Sequence, residues 1–322
     1  MVEKSGIDHT SERMKTMQQK REGRKRSGRM FGMLTGWDIA FHIFNYTVIA
    51  SLTFICLFPF LNAIANAFSG NSAIQTGKVV LWPVDFQLDA MIAVLNDQTI
   101  IRALWITVYI TVFGTFLNML FTVMTAYPLS RTDLWGRKYY MNFMIITMLF
   151  SGGMIPGYLL IRELGMINTL WALMIPGLIS AFNVIIMKTF FQNIPSELRE
   201  AAIIDGCGNT RYILKVALPL STASLATLSL FYAVGHWNTY MSAIIYMNDP
   251  ALYTLQVKLR NILLLSQLDT SLETMQFTHK LSLIEESLKS AVIVFATTPI
   301  LLVYPFLQRY FVKGALLGSV KG

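Results

Sequence analysis

Six long apolar stretches constrain the fold of this 322-residue chain more than any other feature. A helix needs about 20 mostly apolar residues to cross a lipid bilayer, and each stretch reaches that length. Only 14% of the residues are charged, whereas a soluble domain carries about 25%. The sequence therefore predicts an all-α integral membrane protein with six transmembrane helices. The predicted spans are residues 41–68, 102–127, 139–161, 169–190, 218–247 and 288–307.

Lysine and arginine residues are distributed unevenly among the connecting segments. With the N-terminus in the cytoplasm, 19 of the 26 basic residues fall on the cytoplasmic side, and nine of them precede Trp37. Since cytoplasmic loops of membrane proteins carry an excess of Lys and Arg, both termini are predicted to be cytoplasmic. No basic patch with interleaved aromatic residues recurs after the N-terminal segment, so no nucleic-acid partner is predicted.

The sequence divides into a membrane domain between two tails. Residues 1–40 are predicted to form a basic cytoplasmic tail that ends in an amphipathic helix at the membrane interface. Residues 41–310 hold the six spans, and residues 311–322 form a cytoplasmic C-terminal tail. The two cysteines, Cys56 and Cys207, lie in different environments, and no metal-ligand spacing occurs. Neither a structural disulfide nor a metal site is expected.

A polar segment at residues 191–217 separates the fourth and fifth spans on the predicted cytoplasmic side. Pro195 and Ser196 are typical of a helix start, and Gly206 can adopt the left-handed conformation that ends a helix. Apolar residues recur near one side of this helix, and the two alanines among them leave room for another surface. These residues are Leu198, Ala201, Ala202 and Ile204. An ordinary amphipathic surface helix and a docking element for a cytoplasmic partner both fit the pattern.

The same segment resembles the EAA loop in permease subunits of bacterial binding-protein-dependent ABC importers. The family pattern is E-A-A, three residues, G, nine residues and I-x-L-P, and Val216 replaces the Ile here. HWNTY in the fifth span resembles the W-N pattern of the carbohydrate branch of this family. The ending YPFLQRYFVKGALLGSVKG is similar to that of the second permease in maltose-type sugar importers. Together with the long basic N-terminus, that ending most resembles the subgroup that handles oligosaccharides and polysaccharide fragments. The matching loop residues are Glu200, Ala201, Ala202, Asp205, Gly206, Leu218 and Pro219.

This resemblance implies the type I ABC importer fold in the bacterial cytoplasmic membrane. The EAA helix would be the coupling helix, which docks in a cleft of an ATPase subunit. Implied partners are a homologous second permease, two ATP-binding subunits, an extracytoplasmic sugar-binding protein and membrane lipid. The chain has no Walker A sequence or other Gly-rich phosphate loop. ATP and Mg²⁺ would therefore be bound by the ATPase subunits, and neither a cofactor nor enzymatic activity is expected in this chain.

Several polar and aromatic residues in the spans are candidates for a sugar path. Amides can bond sugar hydroxyls, and aromatic rings can cover the apolar face of a pyranose. Hydrogen bonding between helices or anchoring at the membrane interface is the alternative role for each of them. The candidates are Asn118, Asn183, Tyr232, His236, Trp237, Asn238 and Tyr240.

An ion-coupled secondary transporter acting as a single chain is the alternative function. Such a transporter relies on carboxylates within the membrane, yet none of the six predicted spans has Asp or Glu at its middle. The sequence therefore favours the permease subunit of an ATP-driven importer, which forms the path for a sugar or oligosaccharide with a second permease.

Overall fold

A computed structural model describes residues 36–268 and 286–303, together with Pro305. In this part of the chain every regular element is a helix. The helices are α1 (Gly36–Ala67), α2 (Asn71–Gln75), α3 (Asp89–Asn96), α4 (Gln98–Ser130), α5 (Arg137–Leu149), α6 (Met154–Glu163), α7 (Trp171–Met174), α8 (Ala181–Gln192), α9 (Ser196–Ile204), α10 (Asn209–Tyr212), α11 (Leu218–Leu220), α12 (Thr222–Trp237), α13 (Met241–Tyr246), α14 (Leu255–Leu268) and α15 (Glu286–Val303). A π-helical turn at Ile213–Ala217 joins α10 to α11, and a 3₁₀ turn at Pro250–Leu252 precedes α14.

The chain forms two compact units, residues 1–61 and residues 62–322. In the first unit the described residues belong to α1, which is continuous from Gly36 onward. The predicted interfacial helix falls partly outside the described residues, and its last residues belong to α1. In the second unit Asn62 donates a hydrogen bond to the carbonyl of Val80, at 2.8 Å.

Three described helices are long and apolar enough to cross a membrane, namely α1, α4 and α15. Two further pairs qualify if each pair is a single broken span: α5 with α6, bent by 112°, and residues 209–220 with α12, bent by 86°. The first bend lies at Gly152-Gly153, where Gly153 has a φ of +87°. That conformation suits glycine because it has no Cβ.

The predicted fourth span is interrupted in the structure. Residues 175–180, between α7 and α8, are not helical. Pro176 explains the end of α7, because proline lacks the amide hydrogen that would continue the helix and its ring clashes with the preceding turn. The polar groups of the interrupted backbone must therefore find partners elsewhere.

The long helix α4 is the centre of the second unit, packing against both α8 and α12. Asp97 caps its N-terminus by accepting a hydrogen bond from the amide of Thr99, at 2.7 Å. Its buried residues recur every three or four positions, which places them in one stripe along the helix. They include Ile100, Ala103, Thr107, Ile110, Gly114, Asn118, Thr122 and Ala126. Small and polar residues in this stripe allow close helix contacts of the kind found in membranes.

Candidate functional site

Helix α9 is short and sharply ended. Pro195 stands at the N-cap position with extended backbone, and no side chain caps the helix, so Ser196 begins α9 rather than capping it. At the other end Gly206 has a φ of +72°. The Gly206 amide donates to the carbonyl of Ile203 at 2.9 Å, and the Cys207 amide donates to that of Ala202 at 2.8 Å. This pair of bonds is the Schellman motif, and the glycine helix end expected from the sequence is confirmed.

The two adjacent alanines of α9 lie in different surroundings. Ala202 packs against the buried cluster that contains Phe191 and Tyr212, whereas Ala201 is exposed. Ile203 is 55% exposed and Ile204 is 85% exposed. The outer face of α9 is therefore apolar at its C-terminal end, while its inner face fixes it to the rest of the second unit. The outer face also carries Glu197, Glu200 and Asp205.

Charged side chains connect the α4–α5 loop to the segment around α9. Arg131 forms an ion pair with Asp133 in the same loop and donates to the side-chain oxygen of Asn209 at 3.1 Å. Arg199 of α9 lies 3.9 Å from the same Asp133 carboxylate. The hydrogen bond from Arg131 lowers the pKa of Asp133 to about 2, so its carboxylate stays ionised at neutral pH. The loop and the α9 segment are held together by one shared anion.

A small cavity of about 140 Å³ lies between α9 and the end of α4. The Tyr127 hydroxyl and Arg199 Nε are buried there without a hydrogen-bond partner among the described residues. Burial and the nearby Tyr127 raise the pKa of the Tyr212 hydroxyl, which keeps it neutral. A cavity of this size with several polar groups can hold water molecules.

Asn118 links α4 to the interrupted segment between α7 and α8. Its side-chain amide donates to the carbonyls of Gly177 and Leu178, at 2.7 and 2.9 Å. The side-chain oxygen of Asn118 lies 2.6 Å from His236 Nε2. Because the Asn118 amide nitrogen already donates twice, this oxygen must be the acceptor and His236 must carry its proton on Nε2. Asn118 is 1% exposed, so the network is internal.

Tyr232 extends this network by one turn of α12. Its hydroxyl lies 2.7 Å from the Thr122 hydroxyl and accepts a hydrogen bond from the Ser180 amide at 3.2 Å. The side chains of Asn118 and Tyr232 thus satisfy three backbone groups of the non-helical segment, which would otherwise be costly to bury. We call Asn118, Thr122, Tyr232 and His236 the polar core.

The other residues proposed for a sugar path lie in different surroundings. Asn183 is buried in α8, where its backbone amide donates a hydrogen bond to the side-chain hydroxyl of the N-cap residue Ser180. Trp237 is buried in an apolar cluster with Leu255 and Val292. Only Asn238 and Tyr240 of the seven line the larger described cavity, which has a volume of about 580 Å³.

This larger cavity lies between the end of α12, α14 and α15, and sequence reasoning missed two of its polar residues. Gln256 and Arg260 of α14 line it, but they lie between the predicted fifth and sixth spans, where no helix was predicted. A local signal was present, because Leu259, Leu263 and Leu264 repeat at helical spacing beside Arg260.

Comparison with known proteins identifies the family. The family described as "Binding-protein-dependent transport system inner membrane component" matches residues 98–316. The polygalacturonan/rhamnogalacturonan transport system permease protein YtcP of Bacillus subtilis (strain 168) is 46% identical over 88% of this chain and 98% of its own length. Protein LplC of the same organism is 44% identical over 88% of this chain and 95% of its own length.

A solved structure has the same fold. It is the crystal structure of a bacterial ABC transporter involved in the import of the acidic polysaccharide alginate. The matched chain is 30% identical, with a TM-score of 0.80, and the match covers 87% of this chain and 99% of that one. The chain therefore belongs to the family of binding-protein-dependent transport system inner membrane components.

Proposed function

We propose that this chain is the permease subunit of an ATP-driven importer and forms, with a homologous second permease, the path for an oligosaccharide. An extracytoplasmic binding protein delivers the oligosaccharide, and two partner subunits hydrolyse ATP. The chain itself is not an enzyme and needs no cofactor. The identity to YtcP over nearly its full length supports the transport function.

The geometry of α9 is the observation that carries this proposal. A helix of nine residues, closed by Gly206, presents Ile203 and Ile204 to the exterior. Its inner face is anchored through Ala202 and Arg199. Such a rigid projection with an apolar tip suits docking in a cleft of an ATPase subunit, which is the role of the coupling helix.

The membrane topology of the proposal has six crossings and both termini in the cytoplasm. The crossings correspond to α1, α4, the bent pair α5–α6, the interrupted pair α7–α8, α12 and α15. Basic residues near α9 and before α1 support this orientation, since cytoplasmic segments are enriched in Lys and Arg. The loop between α8 and α12 is then cytoplasmic, as docking requires.

The substrate in this proposal is an acidic oligosaccharide built from uronate units. The similarity to a polygalacturonan/rhamnogalacturonan permease and to an importer of the acidic polysaccharide alginate supports this class. Such a substrate carries carboxylates as well as hydroxyls, so its path should offer fixed cations as well as amides.

Purification of the intact complex tests the function. We expect this chain to co-purify with a second permease and an ATPase, whose ATP hydrolysis rises when the loaded binding protein is added. Replacement Glu200→Lys should leave membrane insertion unchanged but lower transport. Substrate uptake by this chain alone, driven by an ion gradient in liposomes, would instead establish the secondary transporter.

Cysteine crosslinking tests the docking surface directly. In a background with Cys56→Ser and Cys207→Ser, Ile204→Cys should crosslink to a cysteine placed in the ATPase cleft. Ala202→Cys is the matched control, because its side chain faces inward. Equal crosslinking at both positions, or at neither, would contradict docking through the outer face of α9.

A further inference from the structure

The 580 Å³ cavity between α12, α14 and α15 has the size and the mixed lining of a ligand site. Ligand pockets measure about 300–1,000 Å³ and combine apolar walls with a few polar groups. Here Leu259, Leu263 and Ile300 provide apolar wall, while Asn238 and Gln256 provide amides.

The cavity lies beside the middle of a helix that is apolar enough to span the membrane. Ala296 lines it and is ten residues beyond Glu286, the first described residue of α15, which at 1.5 Å per residue is about 15 Å along the helix. Two hydrogen bonds, one buried and one partly buried, fix the start of α14 at this position. Thr254 donates to the carbonyl of Thr239 at 2.8 Å, and the Leu255 amide donates to the Thr107 hydroxyl at 2.9 Å.

Arg260 brings a positive charge into this cavity. Its guanidinium carbon lies 5.4 Å from the centre of the Tyr240 ring, so the aromatic ring supports one face of the cation. Within residues 36–268 and 286–303, no carboxylate lies at ion-pair distance from Arg260. The Arg260 side chain is exposed, so a ligand in the cavity can reach the guanidinium.

The chemistry of arginine defines which ligand fits. A guanidinium binds a carboxylate through two parallel hydrogen bonds, whereas a neutral sugar can offer it only single hydroxyls. Asn238 uses one side-chain N–H to bond the Val234 carbonyl at 3.0 Å. Its second N–H and its oxygen, like the amide of Gln256, can serve sugar hydroxyls.

We propose that this cavity is a site on the import path where one uronate unit of the oligosaccharide binds, with Arg260 holding its carboxylate and Asn238 and Gln256 its hydroxyls. The site rests on the proposed function, because it presumes an acidic oligosaccharide as the transported substrate.

Uptake by the reconstituted complex tests the site. The complex of this chain, the second permease, the ATPase and the binding protein is placed in proteoliposomes and supplied with a trimer of galacturonate. We expect Arg260→Gln to lower uptake at least about tenfold, since it removes the charge-assisted hydrogen bonds to the carboxylate. Arg260→Lys should be intermediate, because it keeps the charge but not the paired geometry. The matched control is Arg102→Gln, an exposed arginine of α4 outside the cavity.

Thiol labelling measures occupancy of the cavity without relying on transport. Thr297 lines the cavity, and Thr297→Cys is introduced into the complex after Cys56 and Cys207 of this chain are replaced by serine. We expect the galacturonate trimer to slow labelling of Cys at 297. The same trimer with its carboxylates methyl-esterified should not slow labelling, and neither trimer should do so after Arg260→Gln.

The outcomes separate this inference from the proposed function. If the unaltered complex imports the trimer while Arg260→Gln matches Arg102→Gln in uptake, the site is overturned and the function stands. If the unaltered complex imports a neutral oligosaccharide but not the trimer, the acidic substrate and the site both fail. If the Arg260→Gln complex does not assemble, the test is thiol labelling of Cys at 297 in the complex that retains Arg260. Equal slowing of that labelling by the acidic and the esterified trimers would overturn the site.

Discussion

Gly114 is the position where a single methyl group tests the polar core. A Cβ added at Gly114 would lie 2.6 Å from His236 Nε2 and 2.8 Å from Cε1 of the same ring. The ring cannot simply yield, because Nε2 is hydrogen-bonded to Asn118 at 2.6 Å. The replacement Gly114→Ala must therefore displace His236 and break that bond.

Three free-energy contributions decide whether Gly114→Ala stabilises or destabilises the folded chain. Alanine is favoured over glycine within a helix by about 0.5–1 kcal/mol. Overpacking a buried site costs about 1–3 kcal/mol, and a hydrogen bond between membrane helices contributes about 0.6–1.7 kcal/mol. The net expectation is a destabilisation of about 1–4 kcal/mol.

Thermal unfolding of the purified complex in lipid nanodiscs measures the effect. The midpoint should fall for Gly114→Ala and stay equal or rise for Gly235→Ala, since Gly235 of α12 has open space around it. In a His236→Ala background, the further change Gly114→Ala should no longer lower the midpoint. An equal loss in both backgrounds, or no loss at all, would refute the collision with the histidine ring.

Three further predictions concern α9 with the loop beside it and the polar core. Replacing Gly206, whose φ is +72°, by Ala should lower transport and crosslinking to the ATPase, whereas Gly208→Ala should be tolerated, since its φ is −70°. Tyr232→Phe keeps the ring but loses its two hydrogen bonds, so the unfolding free energy should fall by about 0.6–1.7 kcal/mol for each; an unchanged midpoint would contradict this. The pKa of Asp133 is lowered from 3.8 to about 2 in the folded chain, so its stabilising contribution is complete above pH 4 and is lost only as the pH falls towards 2. The difference in midpoint between the unaltered chain and Asp133→Asn should therefore be constant from pH 8 to 5, and a difference that vanishes near pH 6 would contradict the assignment.

Local backbone chemistry explains why parts of this fold could be predicted from the sequence. The end of α9 follows from Gly206, and the break between α5 and α6 follows from Gly152-Gly153, because both need conformations that other residues rarely adopt. Helices α4 and α15 could likewise be located from hydropathy, because each is long and apolar enough to cross a membrane.

Features that depend on packing between distant residues could not be predicted in the same way. Hydropathy treats residues 169–190 as one span, although Pro176 ends α7 and Asn118, about 60 residues earlier, bonds the freed carbonyls. Arg260 has Tyr240 as its neighbour only because α14 packs back against the end of α12. Neither pairing leaves a signal at short range in the sequence.

Helix α12 connects the segment around α9 to the cavity between α12, α14 and α15. Residues 209–220 lead from the α9 segment into it, Tyr232 and His236 lie within it, and Asn238 follows its last residue. Its 16 residues extend about 24 Å, most of the thickness of the hydrocarbon core. The hydrogen bonds of the polar core hold α12 to α4 and to the interrupted segment between α7 and α8. A movement of α9 would therefore tilt α12 about these bonds and displace Asn238 in the wall of the cavity. In the proposed importer, loss of these bonds through Gly114→Ala should therefore lower the amount of oligosaccharide imported per ATP hydrolysed. This should hold even though the outer face of α9 and the lining of the cavity are unchanged.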